Sequence, residues 1–308
     1  MAKMRQAEAF KRHKSRLNAS QKRFLYCFGI PTFLLYLYIC ILPVIESVAN
    51  GFTKWNGYSE KNWVGLSNYI KILKDPVFYQ ALRNDLYLVC IKEVLIVILA
   101  LAFAVSLTRV RLHKRERLFL RFVYYIPNML SVIVISMLWR FVFNLGLFDE
   151  FLALLHIDFH SQNGWMTDYP LQIVGVVASW CGIGSYMIIL IAAINNVSRE
   201  VYEAAEIDGA GQFVQLFKIT VPAVMSQIRY VIVTILTSSL AGNLNLVLPF
   251  TNGGPGTRSM VMGLYVYQEA YTNYEVGYAD AAAVLLMLIS VCLASLVNGI
   301  ILKKGEDR

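Results

Sequence analysis

Apolar residues in this chain gather into blocks of roughly 20, the number needed to carry a helix across one hydrocarbon core. Such blocks leave little freedom: each must form a helix whose outer surface meets lipid or another helix. The chain therefore reads as an all-α integral membrane protein. Composition agrees, with 57% hydrophobic residues, 16% charged residues and a mean hydropathy of +0.53. A soluble domain of this length carries more charge. Six blocks are expected at about 24–48, 86–107, 118–144, 171–195, 229–248 and 277–302. Lys92 and Glu93 then fall in the first two turns of the second helix, where charge can snorkel outward. Pro127 interrupts the bonding of the third, and Gly182 and Gly184 allow close approach of the fourth to a neighbour.

Charge sets the orientation. The net charge is +8, yet eight basic residues lie in 1–23 and five in 109–117. Both stretches flank apolar blocks, where Lys and Arg mark the cytoplasmic side. Inner segments hold nineteen basic residues and outer segments six, with none in 145–170. Both termini are expected in the cytoplasm, and the basic balance does not call for nucleic acid, which needs an exposed folded face. Residues 1–23 read as a cytoplasmic tail, partly disordered or forming an amphipathic surface helix, and 303–308 as a short inner tail. Residues 49–85 are rich in Trp and Tyr and suit the outer interface. The five cysteines fall in apolar blocks without ligand spacing and are expected to be buried and inert; the four histidines are scattered.

Between the fourth and fifth blocks lies a polar island, Glu203-Ala204-Ala205-Glu206-Ile207-Asp208-Gly209, continuing to Ile219-Thr220-Val221-Pro222. Ser198 is placed to cap a helix from Arg199 to Asp208, with Glu200 in its first turn. Gly209 stops that helix in the left-handed conformation, and Pro222 limits a second short helix. The product is a helix–Gly–helix elbow outside the membrane. Ala204 and Ala205 keep one side thin, and Glu203, Glu206 and Asp208 offer charge to a basic partner.

This spacing resembles the EAA loop of binding-protein-dependent ABC importer permeases. Val64-Gly65-Leu66-Ser67-Asn68-Tyr69 with Asp75-Pro76 is similar to a stretch of the sugar-transporting branch, although Asp85 stands where that branch usually has Thr. Pro127, Trp139, Asn144 and Gly146 fit the family's third-helix pattern. Thr251-Asn252-Gly253-Gly254-Pro255-Gly256-Thr257 resembles the segment after its fifth helix, with Leu244-Asn245 where Phe-Asp is common. The resemblance implies six transmembrane helices with a type I (MetI-like) core over 86–302, and a coupling loop at 198–222. It makes Glu203, Ala204, Ala205, Asp208, Gly209, Ile219 and Pro222 the positions that dock on an ATPase. It implies a second, different permease, two cytoplasmic ATPase subunits that use ATP and Mg, and an external solute-binding protein, in a bacterial cell membrane.

The chain's own chemistry points the same way. Gly253–Ser259 looks superficially like a P-loop but lacks the Lys before Ser and the preceding strand, so no nucleotide site or cofactor is expected in this subunit. A membrane-embedded enzyme would need acidic pairs or metal ligands at a membrane face, and the expected helix interiors lack acidic groups apart from Glu93. A channel or purely structural subunit would not need the elbow. The expectation is a permease subunit that moves a carbohydrate by alternating access; glycerol phosphate is the alternative, which would want Lys92, Arg121 or Arg140 in the path. Candidate substrate contacts are the polar side chains Thr234, Ser238, Asn243 and Asn245, with Trp180 and Tyr186 as aromatic faces.

Overall fold

The protein's structure, a computed structural model, describes residues 18–109 and 113–306. A helix that begins at Ala19 continues as the apolar span α1 (Lys22–Asn50). A two-stranded antiparallel hairpin follows, β1 (Thr53–Lys54) and β2 (Asn62–Trp63), with Thr53 opposite Trp63. Next come α2 (Ser67–Ile72), α3 (Pro76–Arg109), α4 (Lys114–Met129) and α5 (Val132–Asn144). Two short helices, α6 (Leu147–Leu154) and α7 (Trp165–Asp168), lead into α8 (Pro170–Asn195). The elbow comprises α9 (Arg199–Ile207) and α10 (Gln212–Ala223). The chain closes with α11 (Met225–Gly242), α12 (Leu244–Phe250), α13 (Met262–Tyr271) and α14 (Val276–Glu306).

Among the described residues α1, α3, α8 and α14 are each long and apolar enough to cross a bilayer alone. The pairs α4–α5 and α10–α11 pass the same test only together, bent by 94° and 68°, which brings the count to six if each pair is one span. The third block is thus not one continuous helix. Pro127 lies inside α4, and the chain turns just beyond it, where Leu130 and Ser131 take extended backbone with ψ of 149° and 131°. The fifth block also starts earlier than Arg229 and ends in two pieces around Asn243. Pro222 stands one residue before the end of α10 at Ala223, in the first turn of its last helical segment. A wide turn before it sends the Val221 N–H five residues back to Leu216 O, and the bend falls at Val224.

The second block differs most. α3 starts at Pro76 rather than near Leu86, so Lys92 and Glu93 lie in its middle and not at its end. At 1.5 Å per residue its 34 residues reach roughly 50 Å, well beyond a hydrocarbon core of about 30 Å. The expectation that helix interiors hold no other acid also fails, because Asp85 and Asp280 both lie within spans. Neither is left alone: the Ser47 hydroxyl donates to Asp280 at 2.8 Å, which ties α1 to α14.

α3 and α8 form the centre of the bundle. A Cβ on Gly175 or Gly182 would lie 2.8 or 2.9 Å from Ile91 or Ile96 side-chain atoms, and one on Gly184 would lie 2.8 Å from the Tyr124 backbone oxygen. The small residues set how closely α3, α8 and α4 approach, as is usual between helices in lipid. One buried cluster gathers Phe78, Leu88, Val247, Phe250 and Leu264 near the start of α3; a second gathers Ile96, Leu107, Met187, Leu190 and Ile235 toward its end. By contrast, the apolar window of α1 has none of its residues buried against the rest of the chain. Cys27, Cys40, Cys90 and Cys292 point outward from the bundle and only Cys181 is half-buried, so these thiols are free but mostly not enclosed. The expected outer loops are more structured than their composition suggested: α6 and α7 lie within 145–170, and α13 lies within 251–278, with Met262, Leu264 and Tyr265 enclosed. Of the expected tail at 1–23, residues 1–17 lie outside the described residues, as does Arg111, and its end from Ala19 is helical.

Candidate functional site

The elbow is built on its Gly stop. Ser198 is extended ahead of α9, although its side chain makes no capping bond. At the other end Gly209 has φ +77°; its N–H donates to Glu206 O at 3.1 Å, and the Ala210 N–H donates to Ala205 O at 2.8 Å. That paired closure fixes the direction of α10 relative to α9. A Cβ at residue 209 would meet no atom within 4 Å, so the requirement for Gly there is conformational, not steric.

The inner side of the elbow is bonded throughout. Tyr202 is 3% exposed, and its hydroxyl lies 3.1 Å from Thr220 Oγ1. The Thr220 hydroxyl also reaches Gln215 O, and Gln215 Nε2 donates to Ala210 O at 2.9 Å. Arg109, the last residue of α3, enters this nest. Its guanidinium carbon lies 3.4 Å from the Tyr202 ring centroid, and Nη2 donates to Gln215 Oε1 at 3.1 Å. A spanning helix is thereby clamped to both arms of the elbow. In sequence Arg109 is one of five basic residues in 109–117 that mark the cytoplasmic side, and nothing in its neighbours signals this contact.

The outer side is open. Glu203, Ala204, Asp208, Gly209 and Pro222 are exposed, and Ala205 and Ile219 are half-buried. Glu203 pairs with Arg199 at 2.8 Å one turn away, in water where such a pair adds little. Beside these charges stand Ile207, Phe213 and Phe217, at 86%, 80% and 66% exposure. Large apolar side chains concentrated on the open side of the elbow mark a surface meant to be covered.

Toward the other end of α3 a polar thread runs through the bundle. Asp85 is fully buried and accepts the Asn243 amide N–H and the Met262 backbone N–H, each at 2.7 Å. Lys92, two turns along the same face, donates to Asn243 Oδ1 at 3.2 Å. Asn84 Nδ2 donates to Met260 O at 2.7 Å and to Arg258 O at 3.0 Å. Together Asn84 and Asp85 pin the 251–262 segment, whose Ser259 closes on itself through Gly254 O at 2.6 Å and Thr251 Oγ1 at 2.8 Å. Glu93, beside Lys92, has both carboxylate oxygens buried.

The substrate candidates differ in their surroundings. Asn243 is committed to Asp85 and Lys92. Thr234 bonds Tyr230 O and Ser238 bonds Ile235 O, each within its own helix. Tyr186 of α8 is brought to Ser238 of α11, while Trp180 meets Trp139 edge to face at 5.8 Å. Asn245 is exposed. Among the described residues no group of three His, Cys, Asp or Glu side chains is placed to hold a metal ion.

Comparison with known proteins is informative over most of the chain. Residues 96–304 match the family described as binding-protein-dependent transport system inner membrane component. A probable ABC transporter permease protein (YurN) of Bacillus subtilis is 34% identical, over 92% of this chain and 97% of its own. The diacetylchitobiose uptake system permease protein NgcF of Streptomyces coelicolor is 29% identical, over 89% and 80%. In structure, the chain resembles one from a crystal structure of a bacterial ABC transporter involved in alginate import, with TM-score 0.76 and 20% identity over 92% and 96% of the two chains. That likeness shows the fold.

Proposed function

This chain belongs to the family of binding-protein-dependent transport system inner membrane components, and from that premise we propose how it works. It forms part of the translocation path for a carbohydrate, and a separate ATPase drives it through the elbow. The observation that carries the mechanism is the elbow itself, bonded inward to α3 through Arg109 and open outward through Ile207, Phe213 and Phe217. A partner that presses on the open face moves α9 and α10 as one body, because Gly209 and the Tyr202–Thr220–Gln215 bonds leave no hinge between them. Arg109 passes that movement to α3, and α3 carries the polar thread at Asp85 and Lys92. Coupling of this kind needs two global states that differ at the partner contact.

The carbohydrate assignment draws on the diacetylchitobiose permease among the relatives and on the sugar-branch stretches of the sequence. In this reading both termini and the elbow are cytoplasmic, ATP and Mg are handled by two ATPase subunits, and this chain has no nucleotide site of its own. A second permease completes the path, and an external solute-binding protein delivers the substrate. Glu203 and Asp208 offer charge to the ATPase, and Tyr186, Ser238, Thr234, Asn245 and Trp180 are the side chains through which the path would touch sugar. The docking claim is tested by Phe213→Asp and Ile207→Asp. The ATPase should no longer co-purify with a complex whose two permeases still assemble; retention of the ATPase by both variants would refute the assignment of this face.

A further inference from the structure

At the end of the molecule away from the elbow, the first turns of α3 carry Gln80, Arg83, Asn84 and Tyr87, at the i, i+3, i+4, i+7 spacing of one helix face. With Gln172 at the start of α8 and Arg258 from the 251–262 segment, they line a cavity of about 320 Å³. Its lining holds two guanidiniums, three amides and a phenol, with no carboxylate. Among the described residues neither Arg83 nor Arg258 takes part in a salt bridge. Arg258 is held in place from behind: Nη1 donates to Thr167 O at 2.9 Å, and Nη2 reaches Asp168 O. Asn84 is fixed by the backbone carbonyls of the 251–262 segment and accepts the Gln80 amide at 2.9 Å, which orients Gln80 as well. The carboxylate of Asp168, whose backbone carbonyl meets Arg258, is already occupied by Ser161 and Asn163.

Two exposed guanidiniums that line one open cavity, without a salt bridge among the described residues, are an unusual provision for a neutral ligand. A neutral sugar is matched by amides and an aromatic face; paired guanidiniums match the planar fork of a carboxylate. We propose that this cavity receives the carboxylate of an acidic saccharide at the mouth of the path, with Arg83 and Arg258 on the acid and Gln80, Gln172 and Tyr87 on the sugar hydroxyls. This deepens the carbohydrate reading above and rests on it, adding that the substrate carries acid groups. The same chemistry would suit a lipid phosphate, because α3 is long enough for this face to lie at headgroup level.

The test uses the complete transporter with its native partners in nanodiscs of phosphatidylcholine, with and without phosphatidylglycerol. Binding of a galacturonic-acid oligosaccharide and of its carboxyl-reduced counterpart is measured for the wild type and for Arg83→Gln and Arg258→Gln. Arg83 makes no hydrogen bond that its loss would disturb among those described, so that variant guards against misfolding at Arg258. We expect the acid to bind at least about tenfold more tightly than its neutral counterpart, the scale of one charge-assisted bond, and the preference to fall about tenfold in either variant. Equal binding of acid and neutral sugar would overturn the proposal while leaving the carbohydrate reading intact. Arginine-dependent retention of phosphatidylglycerol, with no preference between the sugars, would overturn it in favour of a headgroup. Failure of either sugar to bind any form would overturn the carbohydrate reading together with it.

Discussion

Arg109→Ala removes a side chain that joins a spanning helix to both arms of the elbow. Its guanidinium stacks on Tyr202 at 3.4 Å, a contact of about 1 kcal/mol when partly desolvated. Its bond to Gln215 Oε1 at 3.1 Å involves a charged donor and is worth roughly 1.5–3 kcal/mol. The two are not strictly additive, since both are made by one group, so about 2–4 kcal/mol is the range for undocking the elbow from α3. At 1.4 kcal/mol per tenfold, the undocked population rises roughly 30- to 700-fold. Hydrogen exchange of amides in 199–223, measured in the assembled transporter, reads that opening directly. The amides of 212–223 should lose protection by a comparable factor, and substrate moved per ATP hydrolysed should fall while hydrolysis continues. Arg109→Lys should lie between, because an ammonium keeps the charge but not the planar stack. Unchanged protection in the Ala variant would refute the clamp.

Other perturbations follow from the same geometry. Gly209→Ala forces a Cβ into the left-handed region at about 1 kcal/mol, which should loosen the elbow measurably but modestly in exchange, whereas Gly209→Pro should abolish uptake in a complex that still inserts. Gly184→Leu places side-chain atoms against the Tyr124 backbone oxygen, which cannot swing aside, and should lower the thermal midpoint in micelles more than Gly242→Leu, where nothing lies within 4 Å. Asp85→Ala leaves the Asn243 amide and the Met262 N–H buried without an acceptor, a loss of about 1–3 kcal/mol for each, seen as earlier proteolysis in 251–262. Asp168 is held well below the usual carboxylate range, at about 2, first by the Asn163 backbone N–H and then by the Asn163 and Ser161 side chains. Because the folded value is depressed, the stabilisation is present above the unfolded value near 4 and is lost as pH falls through about 2. Exchange protection of 161–168 should therefore persist to about pH 4 and decline below it, a decline that Asp168→Asn removes.

How much of this was legible follows from what each signal depends on. The apolar blocks report length and hydropathy, which are local, so the four long helices and the elbow were readable to within a few residues at most ends. Gly209 was readable for the same reason, since a helix stop needs only its own backbone. The start of α3 was not: Pro76-Val77-Phe78 joins a mixed stretch to the block, and a helix longer than the bilayer has no hydropathy edge at its true start. Misplacing it turned Lys92 and Glu93 from mid-helix groups into terminal ones. The turn at Leu130–Ser131 lies beyond Pro127 and is set by packing. Asn243 was visible as one member of a polar stripe, but its partners Asp85 and Lys92 lie about 150 residues away in the chain, and no spacing rule links them. Arg109 shows the limit most plainly, because its charge was counted correctly while its contact with Tyr202 exists only in three dimensions.

ATP hydrolysis by the reconstituted transporter tests the proposal that movement of the elbow drives passage of a carbohydrate. The complete complex and its solute-binding protein would be assayed against a panel of saccharides and glycerol phosphate, alongside Glu203→Lys. A saccharide should stimulate hydrolysis, and Glu203→Lys should lose the stimulation with the complex still assembled. Stimulation by glycerol phosphate alone, or full stimulation in Glu203→Lys, would contradict the proposal.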